Sequence, residues 1–582
     1  MGEDITRVEQ APAGGAQQAT GGAGAAAGGE KGYDPEKFDN QIEYWLSCIG
    51  FAVGYGNVWR FPYMCYSNGG AVFLIPYLLS LLLIAIPMYL LETAYGQLID
   101  ARLQTRYGVI VHKWWSVSIA QVMICGFFIV YYITLMAYSF SFFFDSFTNP
   151  LPWLKDGADE ATAVENLWNS DYFNYTVLRK SPGINELGSI RPWLVLCMFL
   201  SYVMNYFSAW KGLKSTGKMV YVTCLLPYLM LTILLIKGLS LEGAGTGLRF
   251  LFVPDWSKLW DIQVWKAAGT QIIFSSGVGY GPLMYYGTGR QKTDKLITAS
   301  FLIPVINSAT SLYAALTIFS FLGHVAERQS IPIADLAQSG PELVFVGFPA
   351  LIGLLDGANF WAVVFFGMLI VLGVDSVFAY LDFFLVYFED SLPHLTERYP
   401  KELVCAGLCC VCFVFSLMFC AEGGLYVFTL FDEMSSSIAL MTCVLFELLF
   451  IPWLFGVDKL EVLMLERTGE KIPAFAKIAI KTIVPAFILM MFVLSWIYEF
   501  SPSTQETRNW PTGILWLGRL IWIVPFFLVP LGHIWQIECP NIYDLIEEQY
   551  GIRFNQDGSH HRTKPDPFKQ EAADGAAKEA NL

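Results

Sequence analysis

The residues of this chain that could do chemistry lie inside apolar runs that ought to be uninterrupted helices. The run Gly50-Phe51-Ala52-Val53-Gly54-Tyr55-Gly56-Asn57-Val58-Trp59-Arg60-Phe61-Pro62 places two glycines two apart, then an asparagine and an arginine. Unwinding at Gly54-Tyr55-Gly56 would free backbone carbonyls for a hard cation and leave amides at a half-helix start for an anion. Helix packing through small residues is the alternative. Arg60 weighs against it, because an arginine at membrane depth faces a cavity and a partner. A second run repeats the anomaly as Gln271-Ile272-Ile273-Phe274-Ser275-Ser276-Gly277-Val278-Gly279-Tyr280-Gly281. A third, Leu372-Gly373-Val374-Asp375-Ser376, holds a carboxylate that needs a cation, a proton or an arginine once buried. Asp375, the Ser376 hydroxyl and main-chain oxygens would suit a small cation, with a proton relay or a structural salt bridge as alternatives.

The elements that carry these groups are membrane helices. Of 582 residues, 55% are hydrophobic and 15% charged, against about 25% charged in a soluble domain. Runs of about 20 apolar residues, enough to cross the hydrocarbon core, recur along the chain. The 18 Trp suit interfacial aromatic belts. Spans are expected near 41–65, 71–98, 115–147, 192–209, 217–238, 264–288, 296–325, 358–391, 402–421, 425–455, 474–499 and 514–537, with a non-spanning amphipathic stretch at 332–353. Two glycine-interrupted spans separated by four intact ones match an inverted repeat of five helices.

This divides the chain into a Gly/Ala-rich N-terminal tail (1–40), a membrane domain (41–537) and a C-terminal tail (538–582). The first tail has no hydrophobic core of a signal peptide and reads as disordered. Its Met1-Gly2-Glu3-Asp4-Ile5-Thr6 fits the loose myristoylation pattern, with the two acids arguing against acylation.

Lys and Arg concentrate in the loops after the second, fourth, sixth and tenth spans, for example Arg102, Lys211, Arg290 and Lys459. The acidic loop after the third span carries the sequon Asn174-Tyr175-Thr176, useful only on the translocated side. Both tails are therefore expected in the cytoplasm. The net charge of −14 argues against nucleic acid as a partner. The 12 Cys fall mostly in apolar spans, where free Cys packs as a small hydrophobe. No His/Cys/Asp constellation in the spans points to an enzyme.

The ordered series of motifs resembles the neurotransmitter:sodium symporter family, the sodium- and chloride-coupled carriers related to the bacterial leucine transporter. Besides the first run, it includes Asn68-Gly69-Gly70 with Phe73-Leu74-Ile75-Pro76-Tyr77, Leu91-Glu92, Gly96-Gln97, Trp210-Lys211-Gly212, Gly217-Lys218-Met219-Val220-Tyr221, Pro254-Asp255-Trp256-Ser257-Lys258-Leu259, Ser339-Gly340-Pro341 and Gly373-Val374-Asp375-Ser376. The likeness covers roughly residues 40–550. It implies an all-α polytopic fold of twelve transmembrane helices, with a leucine-transporter-type 5+5 inverted repeat and helices 1 and 6 broken. It also implies sodium-coupled, chloride-dependent symport at the plasma membrane by alternating access. An amino acid sensor with little transport is the second reading. The oligomeric state is left open.

Carried over residue by residue, the resemblance implies a first sodium site at Ala52, Asn57, Ser275 and Asn307. A second falls at Gly50, Val53, Leu372, Asp375 and Ser376, and chloride at Tyr77, Gln271, Ser275, Asn307 and Ser311. Chloride-independent bacterial relatives hold a carboxylate where Ser311 stands. Gly54 occupies the position at which monoamine carriers of the family hold Asp, so a substrate carboxylate is expected instead, bonded by Tyr132. The remaining substrate positions are Tyr55, Gly56, Phe128, Phe274, Gly277, Tyr280, Ser376 and Tyr380. Bulky Tyr280 and Tyr380 favour a small or polar amino acid such as glycine, proline or GABA. Arg60 and Asp432, with Glu433 as runner-up, match the outer ion pair. At the inner gate the family's Arg and Trp align with Pro35 and Phe38, while their acidic partner matches Asp390; Lys37 is a candidate substitute. The paired cysteines of the long outer loop are absent.

Overall fold

The structure, a computed structural model, describes residues 36–99, 101–154, 171–330, 332–333, 341, 343–353, 355–501, 510–534, 537, 539–555 and 559–565. The expected N-terminal tail thus lies outside the described residues up to residue 35. So does Pro35 of the inner-gate alignment.

The chain enters the helical body through α1 (Gln41–Ala52) and α2 (Phe61–Ser67), the two halves of the first expected span. Asn40 starts α1 by accepting from the Ile42 and Glu43 amides, which otherwise have no intrahelical partner. There follow α3 (Gly70–Ile99), α4 (His112–Asp145), α5 (Pro192–Ala209) and α6 (Leu213–Leu239). A second broken pair comes next, α7 (Ile262–Ser276) and α8 (Pro282–Thr288). Then come α9 (Ile297–Arg328), α10 (Ala358–Ser391), α11 (Lys401–Cys420), α12 (Gly424–Met434), α13 (Leu440–Thr468), α14 (Ala474–Phe500) and α15 (Thr512–Leu528). Nine of these segments are long and apolar enough to cross a membrane among the described residues. The broken pairs fall short of that length because each is cut at its glycines.

Two expectations change. The tenth span is longer than the expected 425–455: α12 continues through the wider helical turn Ser435–Ala439 into α13, which runs on to Thr468. Lys459 and Arg467 therefore stand on a helix and not in a loop. The C-terminal tail is folded in part. Helix α16 (Ile542–Tyr550), capped by Asn541, leads into an antiparallel hairpin of β1 (Ile552–Phe554) and β2 (His560–Arg562). The Ile542 amide donates to Val109 O at 2.9 Å, and the Tyr550 hydroxyl to Leu98 O at 2.5 Å. Those bonds tie the tail to the end of α3 and to the loop that follows it. Polar tail residues hid this docking from a hydropathy reading. Of the amphipathic stretch, Leu343–Gly347 and Phe348–Gly353 are helical, and 334–340 lie outside the described residues.

The broken pairs occupy the middle of the body. Helix α10 packs along α4, and α8 against α3. Large apolar side chains such as Leu229, Ile236, Trp453, Val493, Leu517 and Phe527 stay exposed on the outer helices, as a lipid-facing surface requires. Buried charge is paired on this periphery. Arg519 of α15 donates to Glu499 of α14 at 3.0 Å, both side chains 6% exposed, and the guanidinium lies over the Phe500 and Trp516 rings. Removing one member of a buried pair costs about 3–5 kcal/mol, whereas replacing both by apolar groups is often close to neutral. Glu499→Leu alone is accordingly expected to lower the melting temperature in detergent sharply, and Glu499→Leu with Arg519→Leu to recover most of it.

Candidate functional site

The first break is local chemistry made visible. Helix α1 stops because Val53 leaves the helical region (φ −94°, ψ 102°), and the next two amides have no ladder acceptor. Gly54 N donates instead to Asn57 Oδ1 at 2.9 Å, and Tyr55 N to the Tyr132 hydroxyl at 3.0 Å. The amides expected to meet an anion are thus engaged by side chains here. A carboxylate entering the site competes with Asn57 and Tyr132 for them.

The second break runs from Gly277 to Gly281, where Gly277, Gly279 and Gly281 have φ of 70°, 85° and 105°. Those angles suit residues without a Cβ. Neighbouring helices satisfy its backbone: Glu92 Oε1 accepts from Gly279 N at 2.7 Å, Gln121 Nε2 donates to Gly279 O at 3.0 Å, and Cys125 Sγ to Tyr280 O at 3.3 Å.

Between the breaks lies a pocket lined by Phe51, Ala52, Gly54, Gly56, Asn57, Phe128, Tyr132, Phe274, Ser275, Gly277, Ser376 and Tyr380. No acidic side chain is among them. One end is polar, with the Gly54 region, Asn57, Ser275, Ser376 and the Tyr132 hydroxyl. The other is aromatic: Phe128 lies 4.1 Å from Tyr380 and 4.5 Å from Tyr132 between ring centroids, and Phe51 meets Tyr380 edge-on at 5.2 Å. The free space is about 20 Å³, room for about one water, so an organic solute requires these rings to part. Gly54 is the tightest point. A Cβ there would stand 2.5 Å from Ser376 Oγ and 2.6 Å from the Tyr132 hydroxyl.

Beside the pocket, a buried polar cluster joins α2's approach to α7 and α9. Asn57 Nδ2 donates to Asn307 Oδ1 at 2.7 Å and to Ser311 Oγ at 2.8 Å, and Asn307 Nδ2 to Ser275 Oγ at 2.9 Å. Gln271 Nε2 reaches Gly56 O at 3.4 Å. Tyr77 donates to Ser308 at 3.1 Å. The residues expected around chloride and the first sodium are therefore neighbours, and their donors and hard oxygens suit an anion and a small cation. On the far side of the break, Asp375 is 2% exposed and its Oδ1 has no hydrogen-bond partner. Gly50 makes room for it: a Cβ there would lie 2.6 Å from Asp375 Oδ2. Val53 and Leu372 wall one small cavity nearby. An orphaned buried carboxylate oxygen is a fitting donor for sodium.

The substrate set expected from the sequence is altered at two tyrosines. Tyr55 does not line the pocket. Its ring is fully buried behind the break, stacked on Trp59 at 5.7 Å, and its hydroxyl stands 2.7 Å from where a Cβ on Gly373 would be. Tyr280 backs the pocket, edge-on to Tyr380 at 5.5 Å. Phe51, which sequence reasoning missed, closes over Gly277; the glycine opposite it was its one signal. Ser308 was missed too, being one more serine on an apolar helix.

At one end of the body, Arg60, Asp432 and Glu433 line a vestibule of about 480 Å³, with the Arg60 guanidinium 4.4 Å from the Phe274 ring centroid. At the opposite end, Asp390 Oδ2 accepts from Leu103 N at 2.9 Å, and Lys37 Nζ donates to Thr288 O at 2.5 Å. The expected Asp390 gate thus serves the α3–α4 loop, because that loop presents an amide next to it. Asn174 of the sequon is half-buried in a helical turn spanning Asp171–Leu178.

Comparison with known proteins identifies a family and relatives. A model described as the sodium:neurotransmitter symporter family matches residues 35–538. A sodium- and chloride-dependent GABA transporter 2 of Rattus norvegicus is 36% identical over 508 residues, covering 83% of this chain and 84% of that one. A sodium- and chloride-dependent taurine transporter of Bos taurus is 34% identical (85% and 84% covered), and a sodium- and chloride-dependent creatine transporter 1 of Bos taurus 38% identical (73% and 71%).

The geometry of Gly54 yields a direct test. Gly54→Ala is expected to weaken solute binding by about tenfold or more, 1.4 kcal/mol, as its methyl pushes Tyr132 and Ser376 apart. Isothermal titration on purified protein checks it; a variant binding as wild type would remove Gly54 from the site.

Proposed function

The chain belongs to the sodium:neurotransmitter symporter family, and on that footing we propose that it couples inward sodium flow, with chloride, to uptake of a small amino-acid-like solute. Its relatives named for GABA, taurine and creatine all carry small solutes with one cationic and one anionic end. The observation that carries the substrate class is the Gly54 contact. With no side chain there, and no acid among the described pocket residues, no fixed negative charge repels a substrate carboxylate at the polar end, where it has only the neutral Asn57 and Tyr132 to displace from the amides. The aromatic end suits the solute's short apolar body and, through ring faces, its ammonium.

In this reading the fold is the twelve-helix 5+5 inverted repeat, with α1–α2 and α7–α8 as its two broken helices and both tails cytoplasmic. Sodium binds at Ala52, Asn57, Ser275 and Asn307, and at Gly50, Val53, Leu372, Asp375 and Ser376. Chloride binds among Tyr77, Gln271, Ser275, Asn307 and Ser311. Asp375 offsets sodium charge with its own; chloride does so at the first site, where the neutral cluster offers none. Each net positive charge moved inward gains about 2.3 kcal/mol per 100 mV of membrane potential. Tyr132, released from Tyr55 N, donates to the carboxylate. The outer vestibule closes through Arg60 and Asp432. The protein resides in the plasma membrane, with Asn174 glycosylated on its outer face.

The test is uptake by the full chain in proteoliposomes under an inward sodium gradient, with chloride or gluconate outside. Accumulation of labelled glycine, proline, GABA, taurine or creatine is expected only with sodium, and more strongly with chloride. Asp375→Asn is expected to reduce sodium-driven uptake at least about tenfold. Leucine as the best competitor would overturn the small-solute reading, and binding without accumulation would favour a sensor.

A further inference from the structure

We infer that the inner end of the pathway is locked by a carboxylate–ammonium–carboxylate bridge, Glu36–Lys401–Glu389, whose polarity is opposite to the expected pairing of a basic N-terminal residue with Asp390. The inference rests on the transport reading for its purpose, though its contacts stand apart from it. The segment just before α1 carries the acid, and α11 carries the base. Lys401 Nζ donates to Glu36 Oε1 at 3.0 Å and lies 3.3 Å from Glu389 Oε2. The second oxygen of Glu36 is used as well: Oε2 accepts from Leu213 N at 3.1 Å, at the first turn of α6. One bridge thus ties the N-terminal segment to the start of α6, the end of α10 and the start of α11.

Three further features belong to it. Gly212, at φ 64°, lies directly beneath Glu36 Oε2 and Lys401 Nζ, where a Cβ would collide with both. Phe38, 6% exposed, is held by its amide to Gly289 O at 2.8 Å. Its ring meets Tyr44 and Tyr286 edge-on, each at 5.7 Å, and so plugs the space beneath α8. Lys37 donates to Thr288 O and fastens the same segment to the end of α8. Asp390 is bonded to Leu103 N at 2.9 Å and so is held toward the α3–α4 loop.

Lys401 is the keystone, since it alone is shared by the two acids of the bridge. Its side chain and that of Glu389 are each 20% exposed, so water screens them less than a surface pair. Neutralising it leaves Glu36 and Glu389 as facing like charges, whereas neutralising Glu36 leaves Lys401 with Glu389. For the inner end to open, residues 36–38 must part from Lys401, Leu213 and Gly289 together.

The experiment is amide hydrogen exchange on the full chain in nanodiscs, read by mass spectrometry over peptides covering 36–46 and 210–220. Lys401→Gln is expected to speed exchange of both peptides about tenfold and Glu36→Gln somewhat less, while Lys401→Arg stays near wild type. The double variant should be no faster than Lys401→Gln alone, as members of one bridge are not additive. Glu36→Gln also covers the case in which Lys401→Gln does not fold. Unchanged exchange in the variants that fold, or an additive double variant, overturns the bridge. Failure of wild type to accumulate solute overturns the transport reading instead, and the exchange result still decides the bridge.

Discussion

Within hydrocarbon there is no water to satisfy a loose amide or carbonyl, so every interruption of a helix must be met by protein. That constraint organises this molecule. The first break survives because Asn57 and Tyr132 take the Gly54 and Tyr55 amides. The second survives because Glu92, Gln121 and Cys125 reach the Gly279 and Tyr280 backbone from α3 and α4. The intact helices are thus the partners that let two others stop in mid-membrane, and stopping is what exposes main-chain oxygens and amides to a solute.

The same economy explains the pocket. Polar groups already bonded to one another can be handed to a ligand with little change in the number of bonds, which is how Tyr132 and Asn57 are poised. Asp375 differs, with one buried oxygen left over beside a glycine. A buried charge in that condition calls for a cation more strongly than any hydroxyl cluster does. The neutral Asn57–Asn307–Ser275–Ser311 cluster has donors on one side and oxygens on the other. That suits neighbouring ions of opposite sign.

Charge placement separates the two ends. One end offers a roomy vestibule with Arg60 against the Phe274 ring. The opposite end is packed by Phe38, and Lys401 stands 3.0 Å from Glu36 there. A lock built on a lysine and two acids forms fewer directed bonds than an arginine fork, and here the capping of α6 by Glu36 adds a further bond at the same point.

Composition and spacing alone determined the membrane class, the places where two helices break, the lone carboxylate of α10 and, through an ordered series of motifs, the family. These are legible because glycine pairs and intramembrane charges are costly departures from a simple apolar pattern. Side-chain direction was not legible. Tyr55 sits between two glycines of the break yet turns away to pack on Trp59, since only the tertiary structure sets which face of a short irregular segment meets the solute. Phe51 and Ser308 look like ordinary apolar-helix residues until Gly277 and Tyr77 are brought opposite them. The docking of α16 and the Glu36–Lys401–Glu389 contact join residues far apart in sequence. Their charges read as solvated tails and loops until the fold places them 3.0 and 3.3 Å apart, because an ion pair is a property of distance and shielding, which a linear pattern does not contain.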